Sequence, residues 1–369
     1  MTNAQDELVE PIVGLVARTM DALDVLGFIA RHIHPPNITA LAEVLGDSDA
    51  RLRAALAQFM AAAWPEHLVA FRDQAERAAS FALRACDGIR AAAAAGTDVR
   101  SQAYRALRQA SRAQETLYPL TTSLPSVSRF FLEPDRRDDQ EYLDALAAGA
   151  LRTDGQVGVL HAANATDQRG GFSVFVPENY DPARAWPLVM ALHGGAGHGR
   201  MFLWTWVREA RSRGAIVVAP TALGETWSLR QPELDASNLA NVLDAVARTW
   251  NVDRTRLLLT GMSDGGTFTL LSGIDAESPF SHLAPVAASF HPLILTMAEP
   301  QRMSGLPVYL VHGALDWMFP VSVARSAHAA LDAAGANVVY REIADLSHTY
   351  PREENPRILE WFLGAGKPV

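Results

Sequence analysis

Hydrophobic positions in the first third of the chain recur every three or four residues, as they do along one face of an α-helix. One such series runs from Ile12 to Ile29 and stops before two prolines, which cannot continue a helix. Further series predict helices over residues 67–95 and 101–117, and no strand-like alternation interrupts them. The pattern therefore predicts an all-helical N-terminal region over residues 1–150.

The pattern changes after Gly155, where short apolar runs are bounded by glycine, proline and polar residues and so predict strands. In chain order these runs are QVGVLHA, GFSVFVP, PLVMALHGG, AIVVAP, RLLLTG, PVAASFHP, PVYLVHG and VVYREI. Helical series separate many of them, including those over residues 201–213, 236–250 and 321–334. Apolar strands that alternate with helices indicate a mostly parallel sheet covered on both faces. The predicted fold class is α/β, in a second domain over residues 151–369.

The stretch LLLTGMSDGG, residues 257–266, places G-x-S-x-G between a predicted buried strand and a predicted helix. The spacing alone is a common turn, but this context is that of a nucleophile. Gly261 and Gly265 give neighbouring segments room to approach, and a sharp turn brings the Ser263 hydroxyl clear of the sheet edge. The N-terminus of the helix that follows offers free N–H groups to a developing negative charge.

A serine hydroxyl is a weak nucleophile, so Ser263 needs a base, and a histidine base needs a carboxylate to orient it. His348 lies between the last predicted strand and the final helix, and Asp316 follows the strand PVYLVHG. Asp345 is a rival acid, but it shares the loop of His348 and is placed poorly to contact the imidazole. The chain order Ser263, Asp316, His348 is the order found in α/β-hydrolases.

Backbone N–H groups complete the predicted site. Gly194 and Gly195, which end the strand PLVMALHGG, can turn an N–H toward an oxyanion, and the N–H of Asp264 is the predicted second donor. Trp227 and Trp317 fall in segments after predicted strands and are candidates for a substrate wall, with burial in the core as the alternative. An aromatic wall favours an acyl or aryl group over a charged one.

These motifs resemble those of the α/β-hydrolase superfamily over residues 156–363. ALHGGAGHG, GMSDGG, VHGALDWMFP and LSHTYP are similar to a branch of carboxylesterases that includes polyhydroxybutyrate depolymerase-like, feruloyl esterase-like and phospholipase/carboxylesterase proteins. The pattern HG-x-x-D-x-x-x-P of the acid loop is matched by His312, Gly313, Asp316 and Pro320.

The resemblance implies an α/β-hydrolase fold and a serine esterase. The acyl-transfer mechanism expected of the three side chains needs neither cofactor nor metal. The family's nucleophile, acid, base and oxyanion region fall on residues named above, in this order: Ser263, Asp316, His348, and Gly194 and Gly195 with Asp264. The helical region of residues 1–150 lies outside the shared pattern, so the resemblance says nothing about it.

Composition and charge limit the partners. A net charge of −9 argues against a nucleic-acid binder, which needs clustered lysine and arginine. Cys86 is the single cysteine, so no internal disulfide is possible. Arg18, Asp21 and Asp24 interrupt the first apolar series in a way that a membrane span tolerates poorly, and residues 1–11 are acidic and unlike a signal peptide. We expect a soluble, cytoplasmic protein that acts on a small-molecule ester.

Three functions stay open at this point. The favoured one is a serine carboxylesterase that hydrolyses small to medium acyl or aryl esters through an acyl-enzyme intermediate. The same three side chains also serve an amidase, a peptidase or a thioesterase. The third is a non-catalytic helical interaction protein on a hydrolase scaffold, which the presence of all three side chains disfavours.

The helical region needs a partner surface, because its contiguous amphipathic helices have apolar faces. We expect it to cap the hydrolase domain, to form a homodimer contact, or to do both. The stretch from Pro119 to Pro134 carries three proline residues and is expected to be a linker. Its Phe130–Phe131 pair is expected to be exposed and to reach the site or, as the favoured alternative, to pack between domains.

Overall fold

The structure is a computed structural model that describes residues 6–95, 98–151 and 156–364 of the 369-residue chain. The chain divides into two compact units, Met1–Phe131 and Leu132–Val369. The second unit thus includes residues 132–150, which the sequence pattern grouped with the helical region. Across the described residues, no helix combines the length and apolar character that crossing a bilayer requires.

The first unit is built from helices. They are α1 (Asp6–His32), α2 (Ile38–Glu43), α3 (Ser48–Ala61), α4 (Val69–Ala94), α5 (Val99–Leu117) and α6 (Pro125–Phe130). Small side chains fill the buried faces of α4 and α5, and these alanines include Ala79, Ala82, Ala103 and Ala113. The predicted all-helical N-terminal region is confirmed.

The stretch predicted as a linker is folded. Proline is suited to the first turn of a helix, where its missing N–H has no intrahelical partner to lose, and α6 begins at Pro125. Phe131 is 1% exposed and contacts the ring of Tyr118 edge-on, with centroids 5.1 Å apart. The expectation of an exposed phenylalanine pair is wrong, because both rings are buried and Phe131 packs within the first unit.

The second unit is an eight-stranded sheet covered by helices. Its strands are β1 (Gly158–Ala162), β2 (Phe172–Val176), β3 (Trp186–Leu192), β4 (Ile216–Pro220), β5 (Val252–Met262), β6 (His282–Val286), β7 (Pro307–Gly313) and β8 (Asn337–Ile343). Its helices are α7 (Gln140–Ala150), α8 (Gly199–Phe202), α9 (Val207–Arg213), α10 (Pro232–Thr249), α11 (Asp264–Gly273), α12 (Pro300–Met303), α13 (Val321–Ala333) and α14 (Asn355–Leu363). The predicted α/β fold class is confirmed.

The strand order places the candidate residues at one edge. The order is β1-β2-β4-β3-β5-β6-β7-β8, with β2 antiparallel to both of its neighbours and all later pairs parallel. The order reverses at β3, which has β4 on one side and β5 on the other. Ligand sites of such sheets lie outside the carboxyl ends of the strands near this reversal. The segments that follow β3, β5, β7 and β8 carry the predicted oxyanion region, nucleophile, acid and base, and the predicted wall residue Trp227 follows β4.

Two predicted elements differ from the observed ones. The strand predicted over PVAASFHP ends early, because the chain turns at Ala287 with a φ of 48°, a conformation that leaves the sheet. The helix predicted over residues 201–213 is divided into α8 and α9 by a 3₁₀ turn at Leu203–Thr205. This break lets Trp204 and Trp206 both enter the core, at 2% and 0% exposure.

Polar contacts tie the segment before the sheet to α9 and its surroundings. The hydroxyl of Tyr142 on α7 donates to the backbone carbonyl of Arg211. The Arg211 guanidinium forms a buried ion pair with Glu178, at 3.0 Å, and Arg213 pairs with Glu133 at 2.6 Å. The contacts of Tyr142 and Glu133 join residues 132–150 to α9 within the second unit.

Candidate active site

Ser263 occupies the turn between β5 and α11 in a conformation that non-glycine residues rarely adopt. Its backbone has φ 56° and ψ −118°. Its N–H donates to the carbonyl of Val286 at 2.9 Å, and its own carbonyl accepts from the N–H of Thr267 at 2.8 Å. Strain of this kind persists only where the surrounding structure holds it, and here β6 and α11 hold it from two sides.

Glycines around Ser263 allow backbone segments to approach closely. A Cβ atom on Gly265 would lie 2.5 Å from the carbonyl oxygens of both Leu192 and His193, at the end of β3. A Cβ atom on Gly261 would lie 2.5 Å from the carbonyl oxygen of Gly265. The start of α11 therefore packs backbone to backbone against the loop that carries the predicted oxyanion donors.

Ser263, His348 and Asp316 form a hydrogen-bonded chain. The Nε2 atom of His348 lies 3.0 Å from the Oγ atom of Ser263, and its Nδ1 atom lies 2.8 Å from the Oδ2 atom of Asp316. All three side chains are buried, with 5% to 7% exposure. Because an ionised carboxylate only accepts, Nδ1 donates to Asp316, which leaves Nε2 free to take the hydroxyl proton.

The carboxylate of Asp316 is held in its ionised form. Burial raises its pKa, but hydrogen bonds from His348 and from the N–H groups of Phe319 and Met318 outweigh burial, so its pKa lies below the ordinary 3.8. The two backbone N–H groups reach Oδ1 at 2.8 and 2.9 Å, while Oδ2 faces the imidazole. Asp316 is therefore a fixed negative charge that orients His348.

His312 and Gly313 shape the loop that carries Asp316. The Nε2–H group of His312 donates to the carbonyl of Phe319 at 2.9 Å and lies 3.5 Å from Oδ2 of Asp316. A Cβ atom on Gly313 would lie 2.1 Å from the carbonyl oxygen of Leu346, so only glycine fits there. The two residues of the motif thus hold the loop of Asp316 in shape and against the loop of His348.

The residues predicted as the oxyanion region lie beside Ser263. A Cβ atom on Gly194 would be 3.6 Å from Cβ of Ser263, and one on Gly195 would be 2.7 Å from Oδ2 of Asp264. Asp264 is the first residue of α11, so its N–H has no acceptor within the helix. Its carboxylate accepts from the hydroxyl of Thr226 at 2.6 Å. The structure therefore brings Gly194, Gly195 and Asp264 together beside Ser263.

His193, to which the sequence pattern gave no role of its own, supports this loop. Its Nδ1–H group donates to the carbonyl of Gly194 at 2.7 Å, and its Nε2 atom accepts from the N–H of Ala222 at 3.1 Å. Burial lowers its pKa to about 3, so the ring is neutral. Since both partners of the imidazole ring are backbone groups, no side-chain pattern in the sequence could indicate these contacts.

The two predicted wall tryptophans have different environments. Trp227 is 2% exposed, stacks on Phe268 with centroids 5.4 Å apart, and donates its indole N–H to the carbonyl of His193 at 2.7 Å. The ring of Trp227 is too deeply buried for a substrate to contact its face. Its hydrogen bond to the carbonyl of His193 supports the end of β3 instead. Trp317 is half-buried, and its ring stands edge-on to His348 at 6.0 Å. Phe319, which the sequence analysis did not single out, contacts the same imidazole at 5.4 Å.

Residues 233–362 match the family described as Phospholipase/Carboxylesterase, one of the α/β-hydrolase families. The matched segment runs from α10 to α14 and contains Ser263, Asp316 and His348, but not β3 and the loop after it. This match agrees with the branch of carboxylesterases that the motifs resemble.

A curated relative is the bifunctional acetylxylan esterase/xylanase of Neocallimastix patriciarum, which is 28% identical over 148 residues. The match covers 39% of this chain and 21% of that protein, so the chain spans about a fifth of the relative's length. Among solved structures, a thermostable esterase is 20% identical, with a TM-score of 0.44 over 56% of this chain and 62% of that one. A truncated carbohydrate esterase from gut microbiota is 13% identical, with a TM-score of 0.48 over 57% of this chain and 97% of that one.

Proposed function

We propose that this chain, whose residues 233–362 belong to the phospholipase/carboxylesterase family of α/β-hydrolases, is a serine carboxylesterase for small to medium acyl or aryl esters. The observation that carries the proposal is the hydrogen-bonded chain from Ser263 through His348 to Asp316. A nucleophile, a base and an orienting acid in this geometry are the requirements of acyl transfer.

In the first half-reaction, Oγ of Ser263 attacks the ester carbonyl carbon while Nε2 of His348 accepts the hydroxyl proton. The negative charge moves to the carbonyl oxygen, where the N–H of Asp264 and an N–H of the Gly194–Gly195 segment stabilise it. The imidazolium, held by the carboxylate of Asp316, then protonates the departing alcohol oxygen. The alcohol leaves and the acyl group stays on Ser263.

In the second half-reaction, a water molecule replaces the alcohol. His348 accepts a proton from the water as its oxygen attacks the acyl carbon, and the same N–H groups stabilise the second oxyanion. The bond to Oγ of Ser263 breaks, and His348 returns the proton to Oγ. The carboxylic acid product leaves and the enzyme is restored.

The aromatic rings beside His348 support an apolar acyl or aryl group. Trp317 and Phe319 both stand edge-on to the imidazole, so a group bonded to the reacting carbon meets apolar surface there. A Trp317→Ala variant should change the order of preference in a panel of p-nitrophenyl esters of increasing acyl length that includes a feruloyl ester. An unchanged order would remove Trp317 from the substrate wall.

The nucleophile is tested by Ser263→Ala. The variant should lower kcat by at least about a thousandfold, since loss of a triad member removes the covalent route. Its matched control is Ser272→Ala on the same helix, whose hydroxyl binds the carbonyl of Phe268 at 2.8 Å. The control should keep wild-type kcat, and a Ser263→Ala variant with a tenth of wild-type turnover would contradict the proposal.

The alternative enzymes, an amidase, a peptidase or a thioesterase, use the same three side chains and differ from an esterase in the leaving group of the substrate. Adding one anilide and one thioester to the panel distinguishes an amidase or a thioesterase from a carboxylesterase. A fluorophosphonate probe tests the non-catalytic alternative, because it labels only an activated serine. Folded protein that is not labelled at Ser263 would favour a binding function.

For the helical unit, the proposal is a homodimer contact together with a role in substrate range. Val9 and Val13 lie one turn apart on α1 and are 55% and 61% exposed, which suits an apolar contact. Light scattering should give a dimer for the full chain and a monomer for a Val9→Lys, Val13→Lys variant. A wild-type monomer would contradict the dimer.

Cytoplasmic residence is proposed together with the activity. It is supported by Cys86, a single buried thiol that requires no oxidising compartment. Cell fractionation should place the esterase activity in the soluble intracellular fraction. Activity in the medium would contradict this location.

A further inference from the structure

Arg169 lies in the loop between β1 and β2 and binds three backbone carbonyls. Its Nε–H donates to the carbonyl of Gly224 at 2.7 Å, its Nη1–H to that of Gly197 at 2.7 Å, and its Nη2–H to that of Glu225 at 3.1 Å. Gly197 belongs to the loop after β3, whereas Gly224 and Glu225 belong to the loop after β4. A single guanidinium group therefore joins two loops at the carboxyl edge of the sheet.

One of these loops contains the predicted oxyanion donors. The N–H of Gly197 donates to the carbonyl of Gly194 at 3.0 Å, which closes a tight turn over residues 194–197. Within that turn Ala196 has a φ of 52°, a conformation that alanine rarely adopts, and its N–H donates to the carbonyl of Glu225 at 3.2 Å. A turn strained in this way depends on contacts from outside it, and Arg169 supplies one at Gly197.

The guanidinium group suits this task. It is planar, it carries five N–H donors in a fixed arrangement, and it stays charged at any working pH. Burial lowers the pKa of Arg169, and the carboxylates of Asp235 and Glu225 oppose this effect. An arginine side chain in a protein nevertheless stays protonated. A lysine ammonium, which is a single point on a flexible stem, cannot bind three carbonyls in the same geometry.

We propose that Arg169 is a positioning residue for the oxyanion hole. By fixing the turn of residues 194–197 against the loop after β4, it directs an N–H group of the Gly194–Gly195 segment toward the oxyanion that forms on the substrate. Donors of this kind act because they are aligned before the reaction, and a displacement of about 1 Å can cost a hundredfold in rate. This inference rests on the proposed function, since it concerns the same site.

The variants are Arg169→Ala and Arg169→Lys, with Arg302→Ala as a matched control. Arg302 is also a partly buried arginine whose guanidinium binds backbone carbonyls, from Nε to Gly273 at 3.0 Å and from Nη2 to Phe280 at 2.8 Å. Gly273 ends α11, so this contact lies at the opposite end of the helix from Ser263. Loss of either arginine removes comparable bonds, but only one set supports the oxyanion loop.

Steady-state kinetics on the preferred ester give the first readout. Arg169→Ala should lower kcat roughly 10- to 100-fold with KM changed less than about threefold, because the oxyanion donors act on the transition state rather than on bound substrate. Arg169→Lys should recover part of kcat. Arg302→Ala should lower the melting temperature but leave kcat within about twofold of wild type, as expected for a bond that serves stability alone.

The rate of fluorophosphonate labelling at Ser263 gives the second readout, because the phosphoryl oxygen of the probe uses the same N–H donors. We expect the same ordering of variants for labelling as for kcat. If the wild-type protein is labelled but hydrolyses no ester, the proposed function fails while labelling still tests Arg169. A wild-type protein that is neither labelled nor active would overturn both.

Several results would overturn the role of Arg169 alone. The first is an Arg169→Ala variant whose kcat and labelling rate equal those of wild type. The second is an Arg169→Ala variant in which only KM changes. The third is an Arg302→Ala variant that loses as much kcat as Arg169→Ala. If Arg169→Ala does not fold, Arg169→Lys decides: kcat at least threefold below wild type at unchanged KM supports the proposal, and wild-type kcat overturns it.

Discussion

At the scale of single residues, Asp316 uses its two oxygen atoms for different tasks. Oδ1 accepts from the N–H groups of Met318 and Phe319, while Oδ2 accepts from Nδ1 of His348. An asparagine must keep its carbonyl oxygen toward the two N–H groups, so its NH₂ group would face Nδ1. The imidazole would then carry its proton on Nε2 and could no longer accept one from Ser263.

We therefore predict that Asp316→Asn lowers kcat on the order of 10⁴-fold while the fold is kept. Steady-state kinetics with a thermal melt of the same sample measure both quantities. Asp345→Asn, in the loop of His348, is the control and should keep most of its activity. A larger loss in the control than in Asp316→Asn would make Asp345 the acid.

The burial of His193 makes the free energy of unfolding depend on pH. Burial lowers its pKa from 6.5 to about 3, so the folded chain leaves the ring neutral in a range of pH where the unfolded chain protonates it. Because the unfolded state binds more protons between these values, the free energy of unfolding falls as the pH is lowered from about 6.5 toward 3. At pH 7 and above, neither state is protonated and the effect vanishes.

We predict that His193→Gln is less stable than wild type at pH 7 but loses less stability in acid. Urea unfolding of both proteins between about pH 4.5 and 7.5 measures the difference, and subtracting the two curves removes the other titrating groups. Parallel curves would show that the ring of His193 does not titrate as its burial requires.

At the scale of elements, the contact between the end of β3 and the start of α11 has no room for a side chain. A methyl group at Gly265 would lie 2.5 Å from two backbone oxygens, so the helix would have to move away from the strand. We predict that Gly265→Ala lowers the free energy of unfolding by about 1–3 kcal/mol or more and reduces kcat. Denaturant unfolding and kinetics on the same preparation test this.

Gly194→Ala is the control for stability. Its added methyl group would meet nothing closer than 3.5 Å, so its free energy of unfolding should stay within about 0.5 kcal/mol of wild type. If Gly265→Ala were as stable as this control, the packing of α11 on the end of β3 would be looser than the distances indicate.

The sequence predicts elements and residues that follow from periodicity and strand order. Ser263, Asp316 and His348 each come after a strand, and parallel strands bring their carboxyl ends to one edge, so their proximity follows from the pattern. The contacts of Arg169 and His193 could not be predicted in this way, because their partners are backbone carbonyl and N–H groups. Such partners leave no trace in residue types.

Two predictions from the sequence were wrong for local reasons. The run PVAASFHP stays apolar beyond the end of β6, and an alanine such as Ala287 gives no sign that the chain turns there with a positive φ. The predicted linker is rich in proline, yet a proline at the first position of a helix starts it rather than breaks it, as Pro125 does in α6. The position at which the chain turns away from the end of β6 depends on backbone contacts that only the folded sheet provides.

At the scale of the whole molecule, residues 132–150 fold with the sheet although they are helical. Removing them would take the carboxylate of Glu133 from Arg213 and the hydroxyl of Tyr142 from the carbonyl of Arg211, and both sites are largely buried. A buried polar group left without its partner costs roughly 1–3 kcal/mol. Fragments that differ only in this segment should therefore differ in stability.

We predict that a fragment of residues 132–369 is soluble and cooperatively folded, whereas one of residues 151–369 melts at a lower temperature or precipitates. Expression of both fragments, followed by thermal melts, tests this. Equal melting temperatures would mean that the contacts of Glu133 and Tyr142 add nothing. A change in ester preference between the full chain and residues 132–369 would show that the helical unit acts on substrate range.

The backbone of Ser263 has one further consequence. A serine at φ 56° and ψ −118° keeps that geometry only while β6 and α11 press on it, so its reactivity reports on the packing around it rather than on the residue itself. Because this strain is released as soon as either contact loosens, we expect the turn to relax before the helices melt on storage or mild heating. An ageing preparation should then stop reacting with the fluorophosphonate probe while its circular dichroism spectrum is still that of the intact protein. Labelling of Ser263 would thus detect loss of the native site before loss of the helices.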